Sequence, residues 1–314
     1  MRFSLQTNLK RYNLKDNINI KNYLVTNFIF MSRFILIVTI LFSVFLNDSN
    51  AQKLEVGFGL GTSTYWGDLN STDFTTNLKN SGLAVEVSGR AVYTRYLGVR
   101  VNLAFGNVNG NDNRATNLWQ RERNLSFKSH ILELAALGEF YFFEYDEETV
   151  FIPYLTAGLS VFHFDPKTKL NGVEYRLQPL GTEGQKLPGY NKPYSLISSA
   201  VLFGAGAKLK LTDKLNLSVD IIARRAFTDY LDDVSTNYVN FNEFLSNGQV
   251  LTANLANRMH EFRGTNELLN IPTGAQRGGE KVKDYYFLTM VGIHFTVGDG
   301  FKSKSGYKPN CPKF

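Results

Sequence analysis

Apolar and polar residues alternate one by one through eight stretches between Lys53 and Val297, and this period of two constrains the chain more than any other feature. In the last stretch Phe287, Thr289, Val291, Ile293, Phe295 and Val297 point one way, and Tyr286, Leu288, Met290, Gly292, His294 and Thr296 the other. The alternation predicts strands at 53–65, 82–93, 97–107, 127–143, 151–164, 198–211, 215–227 and 285–297. Such strands exceed the globular norm of about 5 to 6 residues and suit a tilted span, which needs about 9 to 11. The connections alternate too: 66–81, 108–126, 165–197 and 228–284 are long, whereas 94–96, 144–150 and 212–214 are short. An even strand number with alternating short turns and long loops predicts an all-β fold, an antiparallel eight-stranded transmembrane barrel of the outer-membrane kind. Both termini and the short turns are then periplasmic and the long loops extracellular.

The faces separate by polarity as a membrane requires. Leu83, Val85, Val87 and Ala91 are predicted to face out with Val99, Val101, Leu103, Phe105, Leu132, Leu134, Phe140, Phe142, Leu217, Val219 and Ile221. Facing in are Glu86, Ser88, Arg90, Arg100, Asn102, Glu133, Glu139, Ser218, Asp220 and Arg224. A soluble β-sandwich or lipocalin-like barrel would reverse this, with its apolar side chains inside. An outward Arg or Lys at the bilayer midplane would cost about 2 to 4 kcal/mol, and no predicted strand carries one in the middle of its outward face.

A barrel of this size is narrow enough for side chains to fill. Glu55, Glu86, Arg90, Arg100, Glu133, Glu139, Lys208, Asp220 and Arg224 are expected to form an ionic plug, with glycines 57, 59, 61, 204 and 206 leaving room for Tyr154 and Phe162. Aromatic residues gather at strand ends, at Tyr65–Trp66, Tyr93 and Tyr96, Phe142–Phe143, Phe151 and Tyr154, Phe162 and Phe164, Phe227 and Tyr230, and Tyr285–Tyr286. Clusters of this kind predict interfacial girdles. His130 and His163 fall at outer strand ends and read as girdle residues, since no metal-ligand spacing links them.

The barrel domain is expected to span 52–297. Ahead of it, Arg33 leads into the apolar run Phe34–Leu46 and then Ser49-Asn50-Ala51, the pattern of a signal peptide over 31–51 cut after Ala51. That run of about 13 residues is short for a spanning helix, which needs about 20. Residues 1–30, rich in Asn and Lys, read as a non-native extension with Met31 the true start. The first 51 residues hold six of the 34 Lys/Arg and two of the 28 Asp/Glu, so the remainder carries 28 basic against 26 acidic residues and offers no electrostatic footprint for nucleic acid. The single cysteine, Cys311, excludes an internal disulfide and lies in a basic periplasmic tail, 298–314, with Lys302, Lys304, Lys308 and Lys313.

Two chemistries deserve weighing in the last loop. Asp229, Asp232, Asp233 and His260 supply the residue types of a rim enzyme, though Asp is equally a turn and capping residue. The same three aspartates could be calcium ligands, but they lack a regular oxygen-ligand loop. The reading is therefore of no catalytic residue, no metal and no cofactor. Asn242–Phe262 could include an amphipathic helix through Phe244, Leu245, Val250, Leu251, Leu255 and Met259, interrupted by Gly248, that caps the barrel.

Four loop segments carry a resemblance: Tyr65-Trp66-Gly67-Asp68-Leu69-Asn70, Asn124-Leu125-Ser126-Phe127, Leu177-Gln178-Pro179-Leu180-Gly181-Thr182-Glu183-Gly184-Gln185, and Phe227-Thr228-Asp229-Tyr230-Leu231-Asp232-Asp233-Val234-Ser235. Together they resemble the PorG-like outer-membrane barrels of the type IX secretion system. The resemblance implies a non-enzymatic component of that machinery, set among outer-membrane lipids and associated with periplasmic ring proteins like the PorK lipoprotein and PorN. A small barrel whose outer loops bind a surface partner is the alternative, and a rim enzyme the third class.

Overall fold

The structure, a computed structural model, describes residues 53–70, 74–146, 148–265, 267–279 and 283–297. The signal peptide, the 1–30 extension and the basic tail lie outside the described residues. Eight long strands form the wall: β1 (Lys53–Trp66), β2 (Gly82–Val92), β3 (Leu97–Asn111), β4 (Ser126–Tyr141), β5 (Phe151–Leu170), β7 (Ile197–Lys210), β8 (Leu215–Ala226) and β9 (Tyr285–Thr296). Each pairs antiparallel with its neighbours along the chain, and β9 returns to β1 to close the barrel. Closure gives every wall strand a hydrogen-bonding partner on both sides, the condition for a sheet in hydrocarbon. The remaining strand, β6 (Val173–Arg176), pairs only with the far end of β5.

The strand register turns the sequence alternation into two surfaces. Leu60, Val291 and Val219 are successive partners across β1, β9 and β8, and are 55%, 50% and 45% exposed. Phe58, Val87, Leu103, Leu132, Leu159 and Phe203 continue this exposed apolar belt, while all nine charged residues expected inside are buried. In water such a belt would be an aggregation surface; against lipid it is the favourable one. Among the outward positions, Ala91 departs from expectation, being fully buried. In register it lies between the larger Leu54 and Val99.

Three expectations are corrected. First, β3 and β4 pair out to Asn111–Ser126 and β5 runs to Leu170, so the wall extends beyond the predicted ends at 107, 127 and 164. The outward face turns polar there, at Asn109, Asn111, Lys128 and Lys167, so the apolar-outward signal stops although backbone pairing continues and Val108 stays buried on the inner face. Second, the girdle assignment fails for Tyr65, Tyr154, Phe162, Phe164 and Tyr286, which are buried, while Trp66, Tyr93, Tyr96, Phe142, Phe143, Phe151 and Phe227 are exposed. Successive strand residues face opposite ways, so Tyr65–Trp66 and Tyr285–Tyr286 cannot both lie on one surface. Third, the loop between β8 and β9 carries three short helices instead of one: α3 (Phe241–Ser246), α4 (Val250–Ala256) and α5 (Met259–Arg263), preceded in the chain by α1 (Phe74–Lys79) and α2 (Leu118–Arg123). Gly248, at φ +71°, ends α3, and Asn257 closes α4.

Phe244 and Leu255 of these helices are buried, but Val250 is 56% exposed, so the expected apolar stripe is divided. Leu255 joins Tyr65, Phe127, Phe162, Phe164 and Tyr286 in the principal apolar cluster, which links loop and wall.

Candidate functional site

The lumen is filled by ion pairs. Near its short-turn end Glu55 accepts from Lys208 Nζ and the Tyr145 hydroxyl, from Asn216 Nδ2 at 3.1 Å and from Arg90 at 3.3 Å. Arg90 and Arg100 both contact Glu139, at 2.7 and 3.0 Å, and Arg100 reaches Asp220 at 3.1 Å. The hydroxyl of Tyr154 donates to the same Asp220 at 2.7 Å. Higher up, Glu133 takes Arg224 at 3.1 Å together with the hydroxyls of Ser160 and Tyr286. Glu86 accepts from Asn102 at 3.1 Å, and Ser218 meets His294 at 2.8 Å. Among the described residues eight of these nine charges stand in ion pairs that offset their desolvation, whereas Glu86 is held by the neutral Asn102. Glycines do make room for bulky groups: Gly206 faces Tyr154, as expected, while Gly57 faces His294 and Gly59 faces Glu86.

Above the apolar layer the loops build a second buried network, and here the motif residues converge. Arg277 is its hub. Its Nη1 donates to Glu183 at 2.9 Å and to the Asp233 carbonyl at 2.6 Å, while Nη2 lies 3.8 Å from the Asp233 carboxylate. Glu183 also accepts from the backbone N–H groups of Ser235 and Thr236 and from the Thr236 hydroxyl at 2.7 Å. Asp233, held at φ +68°, accepts from the hydroxyls of Thr182 and Tyr194. A second hub, Arg123 at the end of α2, grips Asp112 at 2.7 and 2.8 Å and donates to the carbonyls of Asp68 and Arg277. Asp68 in turn accepts from the Gly279 N–H at 2.7 Å. All four long loops are thereby tied into one cap.

Local structure explains why the motifs read as they do. Gly184 has φ +82°, and a Cβ there would sit 2.8 Å from Val239 Cγ2, so both conformation and space require glycine. Gln178 Nε2 donates to the Tyr194 carbonyl at 3.0 Å, and the Leu180 carbonyl accepts from Thr252 on α4. Pro179 and Leu180 are half-buried. The ring of Tyr230 stacks on Tyr194 at 4.5 Å, and Tyr194 on Phe164 at 6.2 Å, which joins the cap to the wall.

Carboxyl groups outnumber cations in this cap, and burial acts on them in one direction. Asp229, accepting from Ser235 at 2.7 Å, is pushed up to about 7 by burial. Burial likewise lifts Asp233 to about 6, against the pull of Arg277, and raises Asp68 and Asp112. Asp232 and Asp284 are raised well above the usual range by burial and by neighbouring carboxylates. The Tyr65 hydroxyl bridges these two at 2.7 and 2.8 Å. A hydroxyl carries one proton, so two short contacts to carboxyl oxygens need a second proton, held by one of the acids.

The three aspartates considered for calcium thus diverge, Asp229 to Ser235, Asp232 to Tyr65 and Val234, and Asp233 to Thr182, Tyr194 and Arg277. Among the described residues no group of His, Cys, Asp or Glu is arranged to hold a metal ion. His260, half-buried on α5, shares no hydrogen bond with the three aspartates among the described residues. Sequence reasoning missed Tyr65, Asp112, Arg123, Tyr194, Arg277 and Asp284. Arg277, set in Gln276-Arg277-Gly278-Gly279, offered one signal, as a cation in a loop whose acids need a counter-ion.

An apolar exterior, a charged interior and full closure define a β-barrel of the outer membrane, spanning it with eight strands. The chain belongs to the DUF6089 family, described as a domain of unknown function, whose model matches residues 32–253. No curated protein matches it in sequence. Among solved structures it is similar to OprG from Pseudomonas aeruginosa (TM-score 0.40, 11% identity, 79% of this chain and 97% of that one). Neisserial surface protein A gives a TM-score of 0.37 at 9% identity, over 77% of this chain and 96% of that one. Outer membrane protein W of E. coli gives 0.33 at 14%, over 77% and 97%. Likeness at this level adds nothing to the barrel that strand pairing already establishes.

Proposed function

We propose that this protein is a non-enzymatic component of the type IX protein secretion machinery, which anchors or organises a periplasmic ring of PorK-like and PorN-like proteins at the outer membrane. The reading starts from the resemblance of its loop segments to PorG-like barrels. The observation that carries it is the use made of those segments: Asp68, Thr182, Glu183, Asp229, Tyr230, Asp232 and Asp233 are spent on holding one rigid cap over a filled lumen. A barrel so built suits a fixed scaffold better than a conduit for cargo. The partner ring would meet the short-turn side, where the turns at 94–96, 144–150 and 212–214 emerge.

Deleting the gene and assaying the secreted fraction, alongside crosslinking and pull-down of the tagged barrel, tests this reading. Lost secretion with recovery of ring lipoproteins is the expected result. Normal secretion with no ring protein recovered would overturn it. Leu118 and Trp119 of α2, 56% and 42% exposed on the loop side, favour a second reading in which the cap binds a surface partner; lost adhesion with intact secretion would select it.

A further inference from the structure

A polar cleft of about 350 Å³ opens on the outer rim of the barrel, separate from the capped network. Five cations line it, Lys79, Arg114, Lys128, Lys167 and Lys169, against one carboxylate, Glu174. Lys167 is loosely shared, its Nζ lying 3.6 Å from Glu174 and 3.9 Å from Asp165. Arg114 is held by a neutral partner, Asn80 Oδ1 at 2.5 Å. Lys79, Lys128 and Lys169 have no carboxylate partner among the described residues. The cleft is therefore a concentration of positive charge in excess of its one lining carboxylate.

Its position in the register sets its height. Asn109, Lys128, Lys167 and Arg176 are successive partners across β3, β4, β5 and β6. Four residues down the same strands, Phe105, Leu132 and His163 form the last row of the apolar belt, with Phe105 and Leu132 44% and 48% exposed. Four residues of strand tilted by about 45° rise about 9 Å, which brings the lysine row to the headgroup layer. The outward parity of Lys128 and Lys167 aims them toward the surrounding leaflet.

The cleft is braced. Asn109 Nδ2 donates to the Asn80 carbonyl at 3.1 Å, fixing the segment that carries Lys79 to β3. Ser126 and Thr168 pair in the floor at 3.1 Å, and Arg258 Nη1 donates to both at 3.2 Å. A tetrahedral dianion on a glycolipid headgroup matches this charge, height and direction, since each oxygen can accept from a separate ammonium or guanidinium.

We infer that this cleft binds the phosphorylated headgroup of an anionic glycolipid in the outer leaflet. The inference rests on the long loops being extracellular, and the test separates that premise from the chemistry. In nanodiscs doped with bisphosphorylated lipid A, lipid retention by the full barrel should fall at least tenfold in the triple variant Arg114→Gln, Lys128→Gln, Lys169→Gln, and dephosphorylated lipid A should bind weakly to both proteins. These positions are on the surface, so heat-modifiable migration should report an intact barrel. Retention within twofold of wild type overturns the chemistry. Stronger binding of a soluble sulfated oligosaccharide than of lipid A overturns the lipid assignment. On intact cells, Lys128→Cys in a Cys311→Ser background should react with an impermeant maleimide, and absence of labelling overturns the orientation and the site with it.

Discussion

Tyr65→Phe isolates the bridge between Asp232 and Asp284 without changing the volume of the core. The hydroxyl it removes is buried and contacts both carboxyl groups, at 2.7 and 2.8 Å. A hydrogen bond to a charged acceptor is worth about 1.5 to 3 kcal/mol, and leaving a buried acceptor unsatisfied sets the loss toward the upper end, about 2 to 3 kcal/mol. Those acids hold the loop in turn: Leu231 N–H donates to Asp284 and Val234 N–H to Asp232, each at 2.9 Å. If the cap opens as a unit, amide exchange at Leu231 and Val234 should rise by roughly 30- to 150-fold, while amides of β8 and β9 keep their protection. Hydrogen exchange in micelles at one fixed pH measures both. Exchange at the two loop amides within threefold of wild type would refute the bridge, and an equal rise along the wall would refute a cap separable from the barrel.

Other expectations follow from the same geometry. Val219→Arg and Val291→Arg each place a cation on an exposed, mid-wall position and should cost about 2 to 4 kcal/mol, preventing assembly as read by heat-modifiable migration, whereas Ser218→Ala inside the lumen should assemble. Arg224→Leu strands Glu133 in the lumen and should cost about 3 to 5 kcal/mol in urea unfolding, while planar-bilayer conductance of the intact barrel stays near background. Because burial raises the Asp229 carboxyl from 3.8 to about 7, the folded cap binds its proton more tightly than the unfolded chain does. Its stabilisation is full in acid and is lost as pH climbs from about 4 to about 7, so Asp229→Asn should reduce the pH dependence of cap protection in that window, most near its upper end, while Asp233, lifted to about 6, keeps part of it.

Much of the barrel was legible in the sequence because a strand wall makes a local demand. Every second residue from Phe287 to Phe295 must face lipid, so a period of two written into the chain is enough to set strand and face, while the even strand number and alternating connections point to closure. The same rule placed Glu86, Arg90, Glu133 and Arg224 inside before any partner was known. It failed where locality failed. Beyond Asn107 the outward residues of β3, Asn109 and Asn111, are polar, and the one buried apolar residue, Val108, is too little to mark the wall as continuing to Asn111. Tyr65 and Tyr286 looked like girdle aromatics, because residue type records an affinity for interfaces but not which side of the wall a ring takes.

The cap was legible only as a set of motifs. Asp68, Glu183 and Asp233 stood out as loop segments resembling a family, yet which atoms they served could not be read, since their partners lie far away in the chain. Arg277 reaches back to Glu183, and Gly279 to Asp68, across loops with no period to carry the information. By itself the sequence determined what each strand residue must face, because hydrocarbon and lumen sort side chains one position at a time. Only the tertiary structure decided which carboxyl is paired, which shares a proton and which loops are bound together, because a buried charge is settled by the few groups that close upon it in space.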